Sequence, residues 1–334
     1  MATAAEKISQ ILTELRAPAA KHYYPPGFAE YLNRCDTLIE SAAPGITLRV
    51  FVPASEATPV FRERCARVFR RALDLSRGPL FAALPAPALV INVVPSPAKR
   101  SFPPPGVPIG PENINGGFTY VHTGGRGAAS AAAEIYVLRR EEFPKVVLHE
   151  ILHHSRVHCD DAAWAPHRQA LYAHFGVSER GCSAPGVASP EGGGAPGCAT
   201  DIRPNEAIVE TWATVQHCSA LSRELGVPLA ALLAAERDHA LAVAARAERH
   251  RLTLPGSEWQ ERTHTFSYIQ LRAMILRDLP GFLKAAAASA GSPEYDPAKA
   301  AQWLLSAPPL PNGAARSVAA HGADTLRMSL FGDM

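Results

Sequence analysis

Apolar positions in the first 140 residues fall into short runs separated by stretches of helical spacing. Residues 47–52, Thr-Leu-Arg-Val-Phe-Val, alternate and are β-branched, which predicts a strand. Residues 88–94 are a short, largely apolar run bounded by prolines and predict a buried strand. Residues 114–122 and 134–138 predict two more strands on either side of Gly124-Gly125-Arg126-Gly127, as a hairpin or an adjacent antiparallel pair. Between them, residues 1–25 predict a short helix followed by Tyr23-Tyr24-Pro25-Pro26, and residues 28–41 a second. Residues 59–75 predict a third helix, with Val60, Phe61, Val68, Phe69 and Leu73 apolar at helical spacing. The proline-rich stretch 95–111 predicts a loop.

Beyond residue 140 the pattern turns helical and holds no good strand. Helices are expected at about 161–175, 204–225, 228–250, 258–287 and 297–305. The Gly/Ser/Pro/Ala-rich stretch 181–197 has no periodic apolar pattern and is expected to be an irregular excursion. The last twenty residues have the composition of a tail. Strands in the first part and helices in the second predict an α+β fold: a small mixed sheet with helices, then a mainly helical half.

Composition narrows the function classes. Hydrophobic residues at 47% and charged residues at 19% are ordinary for a soluble globular chain. A net charge of +2 points to neither nucleic acid nor an anionic membrane as partner. No run of eighteen apolar residues occurs, so no spanning helix is expected. The first residues lack the apolar core of a secretory signal, so a cytoplasmic location is expected. The six cysteines, Cys35, Cys65, Cys159, Cys182, Cys198 and Cys218, match no common zinc spacing and are expected to be free thiols. Oligomeric state leaves no mark in the sequence.

Candidate chemistry concentrates in Val146-Val147-Leu148-His149-Glu150-Ile151-Leu152-His153-His154. On an α-helix, positions i and i+4 share a face, so His149 and His153 stack near enough to share one metal ion. Glu150 flanks that face, where it reaches a water on the metal but does not add a third ligand. Two neutral imidazoles beside a carboxylate suit Zn²⁺ and a general base. Val147, Leu148, Ile151 and Leu152 fall opposite the histidines, Pro144 fits the first turn, and Glu141 and Glu142 suit the helix N-terminus.

A third ligand is sought in the helix that begins near Pro204. Glu206 and Glu210 lie one turn apart on a largely apolar helix, where two carboxylates repel unless something positive joins them. A metal ion and its ligand histidine would do so, one carboxylate binding the metal and the other accepting an imidazole N–H. His149-Glu150-x-x-His153 followed by Asn205-Glu206-x-x-x-Glu210 resembles the signature of the thermolysin-like gluzincin metallopeptidases. The resemblance implies a zincin-like fold and one zinc per chain on His149, His153 and Glu206. It also implies Glu210 holding a ligand histidine, and hydrolysis of peptide bonds. It covers about fifteen residues specifically. Two departures stand out: a longer spacing from His153 to Glu206, and Glu rather than Asp at 210.

On this reading residues 1–140 form an α/β subdomain with an edge strand and residues 141–334 hold the active-site helix and a helical subdomain, one catalytic unit with its cleft between. Glu150 is the expected general base. His264, Tyr268 and Arg272 recur every four residues, and His264 and Tyr268 are the candidates for stabilising an oxyanion. Segment 134–138, feeding the motif helix, is the expected edge for an extended peptide or protein substrate, with Gly116 and Gly117 allowing close backbone approach. His154 and His158 are expected to be structural or surface residues, and His217, about 16 Å along the helix from Glu206, cannot bind the same metal. The alternatives are a non-catalytic zinc-stabilised peptide-binding protein and a zinc hydrolase of non-peptide amides.

Overall fold

The computed structural model describes residues 4–15, 24–81, 89–121, 133–155, 157–159, 161–177, 201–257, 259–261, 263–289, 294–310 and 325–334. The stretch 181–197 lies outside them. The chain divides into two compact units. One comprises Met1–Lys99, Asn115–Ser155 and Gly332–Met334; the other comprises Arg100–Ile114 and Arg156–Phe331. The boundary expected near residue 140 therefore falls at Ser155, and the motif helix belongs with the sheet.

The first unit is built on a five-stranded mixed sheet in the order β1-β2-β3-β5-β4. Its strands are β1 (Thr37–Ala43), β2 (Ile46–Val52), β3 (Leu89–Ser96), β4 (Gly117–Val121) and β5 (Ala133–Arg139). β2, β3 and β5 run parallel, and β1 and β4 pair antiparallel at the two edges. Alternation decides which side chains meet which helices. Phe51, Val94, Phe118, Tyr136 and Leu138 pack with α1 (Ala4–Leu15) and α2 (Phe28–Asn33). The other face carries α3 (Pro59–Ser76) and, after the short second-unit helix α4 (Pro111–Ile114), α5 (Phe143–Leu152).

Two expectations for this unit are corrected. The helix expected over 28–41 stops at Asn33, and residues 37–43 form β1. Pro44-Gly45, with Gly45 at φ 83°, turns β1 directly back into β2, pairing Ala43 with Ile46. The segment 134–138, expected at an edge, is interior: β5 lies between β3 and β4, and β4 is the edge.

The second unit is helical, with α6 (Ala165–Phe175), α7 (Pro204–Leu225), α8 (Leu229–Arg251), α9 (Arg272–Arg277), α10 (Leu279–Ala286) and α11 (Pro297–Ser306). Proline sits in the first turn of α6, α7, α10 and α11, where its missing N–H has no intrahelical partner to lose. Ala240, Ala244 and Ala247 on α8 and Ala273 on α9 let these helices approach closely around Ile109, Ile269, Leu326 and Met328. The helix expected over 258–287 is interrupted. A single π turn spans Ser267–Leu271, and Asp278 ends α9 and caps α10 through the Gly281 N–H. The expected tail is also corrected, since Leu326, Met328 and Ser329 are buried.

Candidate metal centre

Helix α5 enters the first unit beneath the sheet, and all ten of its residues are buried. Helical hydrogen bonding ends at Leu152, and His153 is the C-cap with φ −61° and ψ −19°. That conformation continues the helical path, so the four-residue stagger between His149 and His153 survives. Their Nε2 atoms lie 3.1 Å apart, with the rings nearly perpendicular at 73°. Two nitrogens bound tetrahedrally to one zinc at 2.0–2.1 Å stand about 3.3 Å apart, so the pair fits a shared cation. The same separation also fits a single N–H···N hydrogen bond between the rings.

Glu150 is buried, and its Oε2 accepts a hydrogen bond from the Thr119 hydroxyl at 3.0 Å. Thr119 and Gly117 project from the same face of β4. A Cβ on Gly117 would lie 2.6 Å from the Tyr136 carbonyl oxygen, 3.0 Å from Glu150 Oε1 and 3.2 Å from Val146 Cγ1. Gly117 thus makes room for the carboxylate of this chain itself. The sequence reading missed Thr119; the signal available was the Gly116-Gly117-Phe118-Thr119 run entering a strand beside the motif helix.

The remaining expected site residues lie in the second unit. Glu206, in the first turn of α7, accepts a hydrogen bond from the Tyr268 hydroxyl at 3.0 Å. The neighbouring Asn205 is buried and does structural work. Its Oδ1 accepts from the Cys159 N–H and the Tyr295 hydroxyl, each at 3.0 Å, and its Nδ2 lies 2.9 Å from His158 Nδ1. His158 is thus tied to Asn205, and His217 Nε2 lies 2.9 Å from the Phe331 carbonyl oxygen.

Glu210 is buried with Arg272, whose Nε is 4.0 Å away and whose Nη2 is 3.7 Å from Glu236. His264 precedes the helical turns, and its Nδ1 lies 3.5 Å from Asp201 Oδ2. Burial lowers the His264 pKa, helped by Arg203 and opposed by Asp201. Burial alone would raise the Asp201 pKa, but His264 and Arg203 bring it below the ordinary carboxylate value. The expected stripe of His264, Tyr268 and Arg272 thus divides three ways, to Asp201, Glu206 and the Glu210–Glu236 pair. Cys35, Cys65, Cys159 and Cys218 are thiols and not disulfides; Cys182 and Cys198 lie outside the described residues. Among the described residues no helix is long and apolar enough to cross a membrane.

No protein-family model matches the chain, and neither does any curated protein or solved structure.

Proposed function

We propose that this protein is a zinc-dependent peptide hydrolase of zincin-like fold, holding one zinc ion on His149, His153 and Glu206. The observation that carries the reading is the pair of Nε2 atoms 3.1 Å apart with the Glu150 carboxylate buried on the same helix. Two imidazoles and one carboxylate form a donor set that could hold a metal ion. They leave a fourth position open, as hydrolytic zinc sites require and closed structural sites do not. Zinc there would supply an acidified water and a Lewis acid for the scissile carbonyl. Glu150 takes the proton from the water and returns it to the leaving amine. The Thr119 hydroxyl donates to one Glu150 oxygen and so holds the carboxylate in place. Tyr268 and His264 are the side chains offered to the developing oxyanion, and Glu210 supports a ligand imidazole.

An extended peptide substrate is assigned to β4. The Leu138 N–H donates to the Gly116 carbonyl at 2.8 Å, which fixes the alternation along the pair. Phe118 and Tyr120 turn their backbone groups toward β5, and Gly117, Thr119 and Val121 turn theirs to the other side. Among the described residues no strand pairs with that side. Main-chain pairing there would set peptide direction without demanding particular side chains.

Metal analysis and peptide-library turnover test the proposal together. The expected result is about one zinc per chain, lost from His149→Ala, His153→Ala and Glu206→Ala. Glu150→Gln should keep the metal and lose roughly 10²–10⁴-fold in turnover, the usual contribution of a positioned general base. A wild type without zinc sinks the reading. Zinc with peptide binding but no turnover would make this a binding protein, and turnover confined to other amides would change the substrate class. Zinc kept by Glu206→Ala and lost by Glu210→Ala would transfer the third ligand to Glu210.

A further inference from the structure

We infer that the C-terminal tripeptide Gly332–Met334 positions the histidine-bearing helix α5, with Asp333 as the positioning residue at its first turn. The inference rests on the zinc reading above, because it says what holds that site's helix in place. Helix α5 starts without a side-chain cap of its own. Its N-cap, Glu142, is buried at φ 61°, a left-handed conformation that an L-residue with a long side chain keeps only when its surroundings hold it there. Those surroundings include the chain's last residues. Asp333 Oδ1 accepts the Glu142 N–H at 2.6 Å. The first N–H groups of a helix have no intrahelical acceptor, so this carboxylate fills a place the helix cannot fill itself.

Three further contacts fix the tripeptide. Arg64 on α3 reaches the same Asp333 oxygen at 3.4 Å, and its guanidinium lies over the ring of Phe143, the first residue of α5, at 4.6 Å. Arg71 on α3 donates to the Met334 carbonyl oxygen at 3.1 Å. Gly332 lies flat against Glu142: a Cβ there would come within 2.8 Å of Glu142 Cγ and 2.9 Å of its Cβ. These are stem atoms, which cannot swing away as a side-chain terminus can. Start, first turn and neighbouring helix are therefore tied to one tripeptide. Ligand constellations tolerate displacements of only about 0.5 Å, and α5 with its C-cap residue carries two proposed ligands and the base, so its placement governs all three.

The test compares zinc affinity, by competition with a chromophoric chelator, and thermal unfolding. The set is wild type, Asp333→Ala, Asp333→Asn, a chain ending at Phe331, and Leu32→Ala in the α2 packing cluster. Asp333→Ala and the shortened chain should lose about tenfold in zinc affinity, the scale of losing a supporting residue around a metal site. Asp333→Asn keeps an oxygen for the Glu142 N–H and should stay near wild type. Leu32→Ala should lose thermal stability and keep its affinity, which separates positioning from general destabilisation. Wild-type affinity in Asp333→Ala, or zinc loss tracking thermal stability in Leu32→Ala as well, overturns the inference. A wild type that binds no zinc would strike the zinc reading alone. Hydrogen exchange at the Lys145 and Val146 amides, both bonded to the Glu142 carbonyl, then decides the positioning. Lost protection in Asp333→Ala supports it, and unchanged protection overturns it.

Discussion

At the scale of single residues, the site is set as much by what is missing as by what is present. Gly117 faces a fixed backbone carbonyl at 2.6 Å and the Glu150 carboxylate at 3.0 Å from where a Cβ would sit. A carbonyl in a paired strand cannot rotate aside, so Gly117→Ala must shift β4 or α5. The expected cost is about 1–3 kcal/mol of stability, as for other overpacked sites. Denaturant unfolding measures it, and on the proposed reading turnover falls further than zinc content does. An alanine variant as stable and active as wild type would show that the contact relaxes freely. The histidine pair was legible from spacing alone, because four-residue stacking is a property of any helical path, even one ending at a C-cap. The company Glu150 keeps was not, because Thr119 and Gly117 reach it from a strand thirty residues away, and periodicity says nothing about which strand lies over a helix.

At the scale of elements, the parts with strong periodicity and clear punctuation matched their expectations. Helices α3, α5 and α7 begin at or beside prolines named from the sequence, and β2 and β3 hold the apolar runs that predicted them. β1 was hidden because Thr-Leu-Ile-Glu-Ser-Ala-Ala is only half-buried and carries no strong alternation; Pro44-Gly45 was the overlooked signal. The order of β4 and β5 was hidden because a strand leading straight into the motif helix can still be interior. That order makes the substrate prediction sharper. A proline at an outward-donating edge position removes no ladder bond, whereas an inward one would. Val121→Pro should therefore preserve fold and zinc content while weakening peptide binding. Calorimetry with a non-cleavable peptide analogue measures it. Unchanged affinity would move the peptide off β4, and loss of zinc would mean that residue 121 supports the fold.

At the scale of the whole molecule, neither unit is a continuous stretch of chain. Residues 100–114, most of them in the stretch 95–111 expected as a proline-rich loop, place Ile109 and Ile114 in the core of the second unit, and Ile109 bridges to Glu261. Residues 325–331, expected as tail, close the same core. Glu236 receives the Ser329 hydroxyl and the Leu330 and Phe331 N–H groups, while His239 Nε2 lies 3.0 Å from the Arg327 carbonyl oxygen. No local pattern announces which distant segment returns to a core, so this closure is visible only in three dimensions. It carries a pH dependence with a definite sign. Burial lowers the His239 pKa from 6.5 to about 4, opposed by the Arg327 carbonyl and Glu236 and reinforced by Arg272 and Arg246. A histidine depressed in the fold stabilises it fully above its unfolded value. That stability is lost as pH falls from 6.5 toward 4, because the unfolded chain takes up the proton first. His264, lowered chiefly by burial, adds loss of the same sign. Each such group contributes a slope of at most about 1.4 kcal/mol per pH unit. Unfolding free energies measured between pH 7.5 and 4.5 should therefore fall more steeply for wild type than for His239→Gln, whose amide can still donate to the Arg327 carbonyl but cannot titrate. Parallel slopes would mean that His239 keeps its ordinary pKa and that the C-terminal closure does not sense acid.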